Sequence, residues 1–255
     1  MHTKDNIKDR THYKKEEIPM FQYVSNAGII FNTADKKVGI DCLCKDSSQL
    51  YQDTPAQIRK ELNLDVLIFT HEHGDHFCAE YTKEAWDKNQ NLQIYSTQGT
   101  VELLEQVGVS TVNLHKVQGG DTIKIDSLYI EFMKTIHEGE QYSDVQNLTL
   151  LINKEDKKLV VTGDAMPCKE LFERISNWSS HIDWLFAPFP YVGLRSTRKL
   201  MKEYLDIENI FALHLTREEA DVKHWAANTK RVCEEAKDGL PQPIFPEKLG
   251  EWYCL

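Results

Sequence analysis

No stretch of this chain approaches the roughly 18 consecutive apolar residues that a membrane helix needs, so a helical membrane span is not expected. The six cysteines (Cys42, Cys44, Cys78, Cys168, Cys233 and Cys254) include no CxxC pair, which removes a cysteine zinc ribbon. The opening MHTKDNIKDRTHYKKEE has no apolar core, so no secretory signal is expected there. The thiols are then expected to be reduced and the protein cytoplasmic. Excess positive charge is missing as well. Lys and Arg number 30 against 40 Asp and Glu, a net −10, which argues against broad binding to a nucleic-acid backbone. No internal repeat, low-complexity tract or Gly/Ser linker divides the chain. The expectation is a polar arm over residues 1–19, its charges alternating in sign, followed by one domain over residues 20–255. What is present is ordinary for a soluble globular protein: 41% apolar and 27% charged residues, enough in 255 positions for one large core.

Strand and helix patterns interleave. MFQYVS, AGIIFNT and KVGIDCL read as short strands separated by Asn26 and by Asp35-Lys36-Lys37. TPAQIRKEL reads as a helix with Thr54 as N-cap and Pro55 in its first turn. DVLIFT is a continuous apolar run of buried-strand length. CAEYTKEAWDK is helical, LQIYST a strand, and GTVELLEQVG a helix closed by Gly108. Further on, TIKID, LYIEFMKTI, LTLLIN and KLVVTG read as strands and PCKELFERISNW as a helix. DWLFAPF is a buried strand, RSTRKLMKEYL a helix, IFALHL a strand, and a last helix is expected from Glu218 to Gly239. Strand groups mixed with helices in both halves suggest two sheets, each covered by helices.

Straight after the apolar DVLIFT run comes FTHEHGDHF, Phe69 to Phe77, with His71, His73, Asp75 and His76 inside six positions. This is not the His-Glu-x-x-His of a helical zinc site, because Asp75 stands four residues after His71. In a loop leaving a strand, His71 and His73 can converge on one ion while Asp75 and His76 point to a second. Gly74 permits the tight backbone this needs. A histidine-rich polar loop without an ion is the bland alternative, but three imidazoles and a carboxylate are costly to satisfy without a cation.

The stretch resembles the HxHxDH signature of the metallo-β-lactamase-fold superfamily, and later motifs follow in that family's order from about residue 20 onward. His137 in MKTIHEGE, Asp164 in LVVTGDA, His214 in IFALHL and Asp41 in VGIDCL match them. The resemblance implies an α/β fold, an αββα four-layer sandwich with two mixed sheets face to face. It implies a metal-dependent hydrolase with a binuclear centre in which His71, His73 and His137 hold one ion. Asp75, His76 and His214 hold the other, and Asp164 bridges them. An anionic bridge suits two divalent ions ~3.5–4 Å apart, and a water between them becomes the hydroxide nucleophile. Asp41 is expected to accept a proton from a ligand imidazole and fix its tautomer, which with Asp75 and Asp164 makes three catalytic carboxylates. Zinc, manganese or iron would all suit such donors.

Departures narrow the activity. Classical B1 β-lactamases place a cysteine where Asp164 stands here, with Cys168 four residues away, so antibiotic hydrolysis is not expected. Flavodiiron proteins replace the second motif histidine by glutamate, whereas His73 is kept and Glu72 lies one place off. Only 41 residues follow His214, too few for the helical domain of glyoxalase II-like enzymes. RNase Z-like members carry a glycine shortly after the motif that HFCAEYTKEA lacks. What remains resembles the compact UlaG-like branch, which acts on lactones and phosphorylated small molecules. The expected substrate is a small ester, lactone or phosphodiester. The other readings are a di-iron redox enzyme, a ribonuclease or phosphodiesterase acting on nucleic acid, and a metal-binding module without catalysis.

FAPFPYVGLRSTRKLMK is the candidate substrate segment, with Tyr191, Arg195 and Arg198 as contacts. Ser196 or Thr197 would cap a helix whose free amides, with Lys199 and Lys202 nearby, receive an anionic group. An amphipathic surface helix is the competing account, and Phe189 reads equally as packing. His12, His115, His181 and His224 read as surface residues and Cys78 as packing. Oligomeric state is left open.

Overall fold

The computed structural model describes residues 20–255; the arm expected over residues 1–19 lies outside them. Its first sheet holds β1 (Met20–Tyr23), β2 (Ile29–Asn32), β3 (Lys37–Ile40), β4 (Val66–Ile68), β5 (Gln93–Ser96) and β6 (Leu114–Lys116). The second holds β7 (Thr122–Ile125), β8 (Leu128–Ile136), β9 (Gln146–Lys154), β10 (Lys157–Val161), β11 (Ile182–Pro188) and β12 (Ile207–Leu213). A last strand, β13 (Trp252–Cys254), returns to the first sheet and pairs antiparallel with β1. The strand orders are β13-β1-β2-β3-β4-β5-β6 and β12-β11-β10-β9-β8-β7. Both sheets are mixed: β3 to β6 run parallel, as do β10 to β12, and the remaining pairs are antiparallel.

Alternation along the strands sets the layers. On β9, Leu148, Leu150 and Ile152 face the first sheet, where they join Phe21, Phe31, Ile40 and Ile68 in the inter-sheet core, while Leu151 faces the other way. The outer face of the first sheet (Ile30, Leu67, Ile94) packs on the helices α1 (Ala56–Glu61), α2 (Ala79–Lys88) and α3 (Gln98–Gln106). The outer face of the second (Leu151, Val160, Leu185) packs on α4 (Lys169–Trp178), α5 (Phe189–Gly193), α6 (Arg195–Tyr204) and α7 (Trp225–Glu235). The arrangement is the αββα sandwich, with burial of both faces accounting for the near-continuous apolar runs of β4 and β11.

Local differences from the sequence reading have physical causes. Thr54 does not cap α1; its hydroxyl donates to Cys42 O (2.9 Å) and accepts from Cys44 N (2.9 Å), tying the two chain segments together. The last helix is shorter than Glu218–Gly239 because Asp221 takes the amides of Trp225 (2.6 Å) and Ala226 (3.0 Å), starting α7 only there. α5, β6 and β13 were not foreseen, each being only three to five residues long.

Candidate metal centre

Five strand ends deliver the site. β3 is followed by Asp41, β4 by Thr70-His71, β8 by His137, β10 by Gly163-Asp164 and β12 by His214. All leave their sheets at the carboxyl ends of these strands, the end at which parallel α/β sheets commonly bind ligands. The backbone there is constrained: Asp41 (φ 46°) and His214 (φ 60°) adopt left-handed conformations uncommon for residues other than glycine. Gly163 is also left-handed (φ 54°), and a Cβ on it would fall 2.5 Å from Asn147 Oδ1 and 2.9 Å from Thr70 Cβ. Only glycine lets the Asp164 turn pass there.

The histidine motif folds into a turn in which the amides of His76 (3.0 Å) and Phe77 (2.8 Å) donate to His73 O. The flanking rings of Phe69 and Phe77 stack edge to face at 5.0 Å, pinning both ends of the loop. Gly74 is required, but not for a left-handed backbone: a Cβ there would sit 2.8 Å from Lys45 O, whose own amide donates to Gly74 O at 2.7 Å. Glu72 turns away and accepts from Thr97 Oγ1 (3.1 Å).

All seven ligand candidates converge, in two groups: His71, His73 and His137, and Asp75, His76, Asp164 and His214, the donor atoms of each lying within 4.8 Å of one another. The hydrogen-bond network fixes the tautomers. His137 Nδ1 lies 2.7 Å from the Glu138 carbonyl, an acceptor only, so Nδ1 carries the proton and Nε2 a lone pair. His76 Nδ1 likewise donates to Asp41 Oδ2 (2.8 Å). The hydroxyl of Thr70 donates to Asp41 Oδ2 (2.7 Å), which leaves it an acceptor for His71 Nδ1 at 3.0 Å. His71 Nε2 therefore also presents a lone pair, and it faces His137 Nε2 at 3.3 Å. Two buried lone pairs pointed at each other repel unless a cation lies between.

In the second group, His76 Nε2, His214 Nε2 and Asp164 Oδ1 are buried and have no hydrogen-bond partner among the described residues. Yet His76 Nε2 is 3.1 Å from Asp164 Oδ1 and His214 Nε2 is 2.7 Å from Asp75 Oδ2. The distances suit hydrogen bonds while the angles do not, as for atoms aimed at a shared centre. Asp164 reaches both groups, its Oδ2 lying 3.7 Å from His137 Nε2. Nitrogen and carboxylate donors of this kind fit first-row divalent ions, and the residues present fit a pair of them.

Electrostatics differ between the groups. Burial, followed by the neighbouring imidazoles, lowers His71 well below the usual histidine range; burial and His137 lower His73. Burial would also lower His76, but Asp164 and Asp41 overcome it and carry it up to about 10. His214 is raised well above its usual value by Asp164 and Asp75 against the opposing effect of burial. Burial would raise Asp75 and Asp164, but His214 and His76 hold both below the usual carboxylate range. The carboxylates of the second group thus favour a proton on His76 and His214, so protons compete with metal there more than in the first group. Raised histidine values stabilise the metal-free fold fully below about 6.5, and that contribution is lost as pH climbs through about 10. Loading zinc at pH 7 should accordingly release about two protons, from His76 and His214, and none from His71 or His73. Calorimetry in buffers of different ionisation enthalpy measures the number; release of none would contradict the assignment.

Several residues were not singled out from sequence. Asn147 accepts the Asp164 amide on Oδ1 (3.0 Å) and donates to Thr162 O (3.0 Å). Asn26 donates to Asp75 O (3.1 Å), and its carbonyl accepts the His214 amide (3.1 Å). Tyr142 meets His73 edge-on (4.7 Å) and lies tilted against His137 (5.0 Å), and Tyr51 meets His214 edge-on at 4.2 Å. Glu138, half-buried beside His137, is raised by burial and by Asp164. Only adjacency to His137 could have marked Glu138; nothing local marks the others.

The substrate segment is placed differently from the expectation. Arg198 is buried and bound through two hydrogen bonds to Asp238 (2.6 and 2.9 Å), so its charge is spent inside the helical layer. Arg195 is exposed, 3.9 Å from Glu235 and outside both donor groups. Neither Ser196 nor Thr197 caps α6, which starts from Leu194 without a side-chain cap. Tyr191 is fully buried, its hydroxyl donating to Ala165 O (2.6 Å), and so supports the turn after Asp164 from behind. A third group, His181, Asp183 and Glu208, lies at the opposite end of β11 and β12. Asp183 there is already saturated by Lys157 Nζ (2.9 Å) and the Lys158 amide (2.7 Å).

An αββα sandwich whose facing strand ends carry two adjacent His/Asp donor groups defines a class, the metal-dependent hydrolases of the metallo-β-lactamase superfamily. The chain belongs to the Beta-lactamase superfamily domain family, whose sequence profile it matches over residues 36–231. No curated protein matches it in sequence. Among solved structures it is similar to the metallo-β-lactamase fold protein YhfI from Bacillus subtilis, with 16% identity, TM-score 0.65, and coverage of 93% of this chain and 99% of that one. It is also similar to isothiocyanate hydrolase from Delia radicum gut bacteria, with 16% identity, TM-score 0.65, and coverage of 92% and 99%. CmlA, a diiron β-hydroxylase from Streptomyces venezuelae, gives 12% identity and TM-score 0.69; the match covers 94% of this chain but 54% of CmlA. At these identities the likeness is one of fold.

Proposed function

We propose that the chain hydrolyses a small ester, lactone or phosphodiester, using two divalent ions, zinc in the first instance, held by the two donor groups. The observation that carries this reading is the 3.3 Å approach of two ring nitrogens, His71 Nε2 and His137 Nε2, whose Nδ1 atoms are each engaged elsewhere, with the Asp164 carboxylate reaching toward both groups. In this reading His71, His73 and His137 hold one ion, Asp75, His76 and His214 the other, and Asp164 lies between. What such ions supply when bound is a water acidified towards neutrality and polarisation of the substrate's carbonyl or phosphoryl oxygen. The chain's own residues do the rest. Asp41 keeps the proton of His76 on Nδ1, Asn147 and Gly163 aim Asp164, and Asn26 ties the Asp75 loop to the end of β12. Asp75, its Oδ2 at 2.7 Å from His214 Nε2, acts in this reading as a donor of the second group. Branch membership among compact UlaG-like hydrolases and a cytoplasmic location belong to the same proposal.

Metal-loaded protein assayed on lactones, esters and bis-aryl phosphates should turn over at least one class, with activity abolished by chelation and lowered about a hundredfold or more in His73→Ala. Full activity of that variant on every substrate of the wild type would overturn the mechanism. A di-iron redox enzyme is the second reading, because N/O donor sets accept iron as readily as zinc. A visible absorption band with oxygen consumption would favour it over a colourless hydrolase.

A further inference from the structure

α6 and α7 both pack on the short α5 but barely meet each other, and a cavity of about 540 Å³ opens between α6 and the C-terminal end of α7. A concave volume of this size suits a small organic molecule. Its floor is tied across. Arg198, buried, holds Asp238 through Nε (2.6 Å) and Nη2 (2.9 Å), and Asp238 also accepts the Leu240 amide (3.1 Å). The pair joins α6 to the segment that follows α7, so the two walls are fixed before any ligand arrives. Val232 and Ala236 give the α7 wall an apolar lining. No residue lining the cavity belongs to either donor group of the candidate metal centre.

The same cleft gathers cations that the fold leaves unpaired. Arg195, Lys199 and Lys202 lie along one face of α6, Lys237 joins them from the segment after α7, and all four are exposed. Among the described residues Lys199, Lys202 and Lys237 form no ion pair, and Arg195 has only Glu235, 3.9 Å away and shared with Arg231 at 3.6 Å. Lys199 and Glu203 have the spacing at which Lys83 pairs with Asp87 and Lys169 with Glu173, yet no ion pair joins them. With Arg198 neutralised by Asp238, four cations line the cleft against the carboxylates of Glu203 and Glu235, in a chain of net charge −10. Like charges around one concave space repel, and a doubly charged anion among them relieves that repulsion.

We infer that the cleft between α6 and α7 is a second ligand site, separate from the candidate metal centre, and that it takes a small organic dianion of the phosphate-monoester class. The ammonium groups of Lys199, Lys202 and Lys237 receive the phosphoryl oxygens, and the organic part lies against Val232 and Ala236. The anion-receiving segment expected from sequence thus serves a cleft of the helical layer rather than the strand-end site. The inference stands apart from the hydrolase reading, since it requires neither bound metal nor turnover.

The test titrates zinc-loaded full-length protein with phenylphosphonate, a hydrolysis-resistant stand-in for a phosphate monoester, with benzyl alcohol as the uncharged control. Heteronuclear NMR follows the backbone amides, and Kd is read from residues 195–203 and 232–238, so that any event at the metal centre is counted separately. Expected is saturable binding there, about tenfold or more tighter than for benzyl alcohol, and weakened by added salt. The double variant Lys199→Ala, Lys202→Ala changes only exposed positions and should weaken binding about tenfold or more. Lys237→Ala should weaken it about threefold, while His73→Ala, which disturbs the candidate metal centre, stays within about twofold of wild type. Circular dichroism equal to wild type confirms that each variant is folded. No saturable shift in these residues up to about 10 mM phosphonate would overturn the inference. Undiminished binding in the double lysine variant, or binding lost in His73→Ala with shifts confined to the metal-centre loops, would do the same.

Discussion

Asp164→Asn is expected to lower hydrolytic turnover by about a thousandfold and to reduce tightly bound divalent metal from two ions per chain to one. The carboxylate reaches toward both donor sets, with Oδ1 3.1 Å from His76 Nε2 and Oδ2 3.7 Å from His137 Nε2. An amide keeps the volume and the bond from its own backbone N–H to Asn147 Oδ1. It would lose the negative charge that offsets the repulsion between two dications, an effect of several kcal/mol that converts to about three powers of ten in rate. Metal analysis by mass spectrometry and a kcat measurement on the best substrate read the two effects separately. Two ions retained with undiminished kcat would refute the bridging role. The substitution has a second signature in metal-free protein. Asp164 is held below the usual carboxylate range, so it stabilises the fold above about 3.8 and that contribution fades as pH falls. The variant should therefore show a flatter acid limb in its stability–pH curve.

Asp41→Asn should weaken metal binding at the second donor group by about ten- to a hundredfold and destabilise the chain by about 1–3 kcal/mol. Asp41 is fully buried and accepts three hydrogen bonds, from Thr70 N (2.8 Å), Thr70 Oγ1 (2.7 Å) and His76 Nδ1 (2.8 Å). An asparagine has one acceptor oxygen, so its amide group must face a donor. If it faces His76, the imidazole escapes the clash by moving its proton to Nε2, which removes the lone pair aimed at the second donor group. Backbone strain does not confound the comparison, because asparagine tolerates the left-handed φ of 46° about as well as aspartate. Zinc titration against a chelating indicator gives the affinity and denaturant unfolding the stability. Wild-type affinity at both sites would show that the His76 tautomer is set by something else.

The candidate metal centre was legible in sequence to the extent that its parts are local or stand at recognisable strand ends. FTHEHGDHF announces itself because three histidines and an aspartate crowd six positions after an apolar run. His137, Asp164 and His214 were recoverable through their order relative to it. The helix after Gly193 shows where this reasoning fails. Arg195 and Arg198 stand three positions apart in sequence, yet one is exposed and the other buried against Asp238, a partner 40 residues away. Tyr191 looked like a pocket residue for the same reason, since nothing near it in sequence reveals that Ala165 O waits for its hydroxyl.

The sequence by itself determined the interleaving of strands and helices and marked the His71–His76 cluster, because strand patterns and a dense histidine motif are readable within a few residues; His137, Asp164 and His214 stood out only through the resemblance to a family's order of motifs. The tertiary structure alone decided which ring nitrogens are free, which carboxylate lies between the two groups, and which cations are spent in the helical layer. Those depend on hydrogen-bond partners brought together across the two sheets, from Asp41 to His76 and from Asn147 to Asp164. A proton's place on an imidazole is fixed by such a partner, wherever in the chain it comes from.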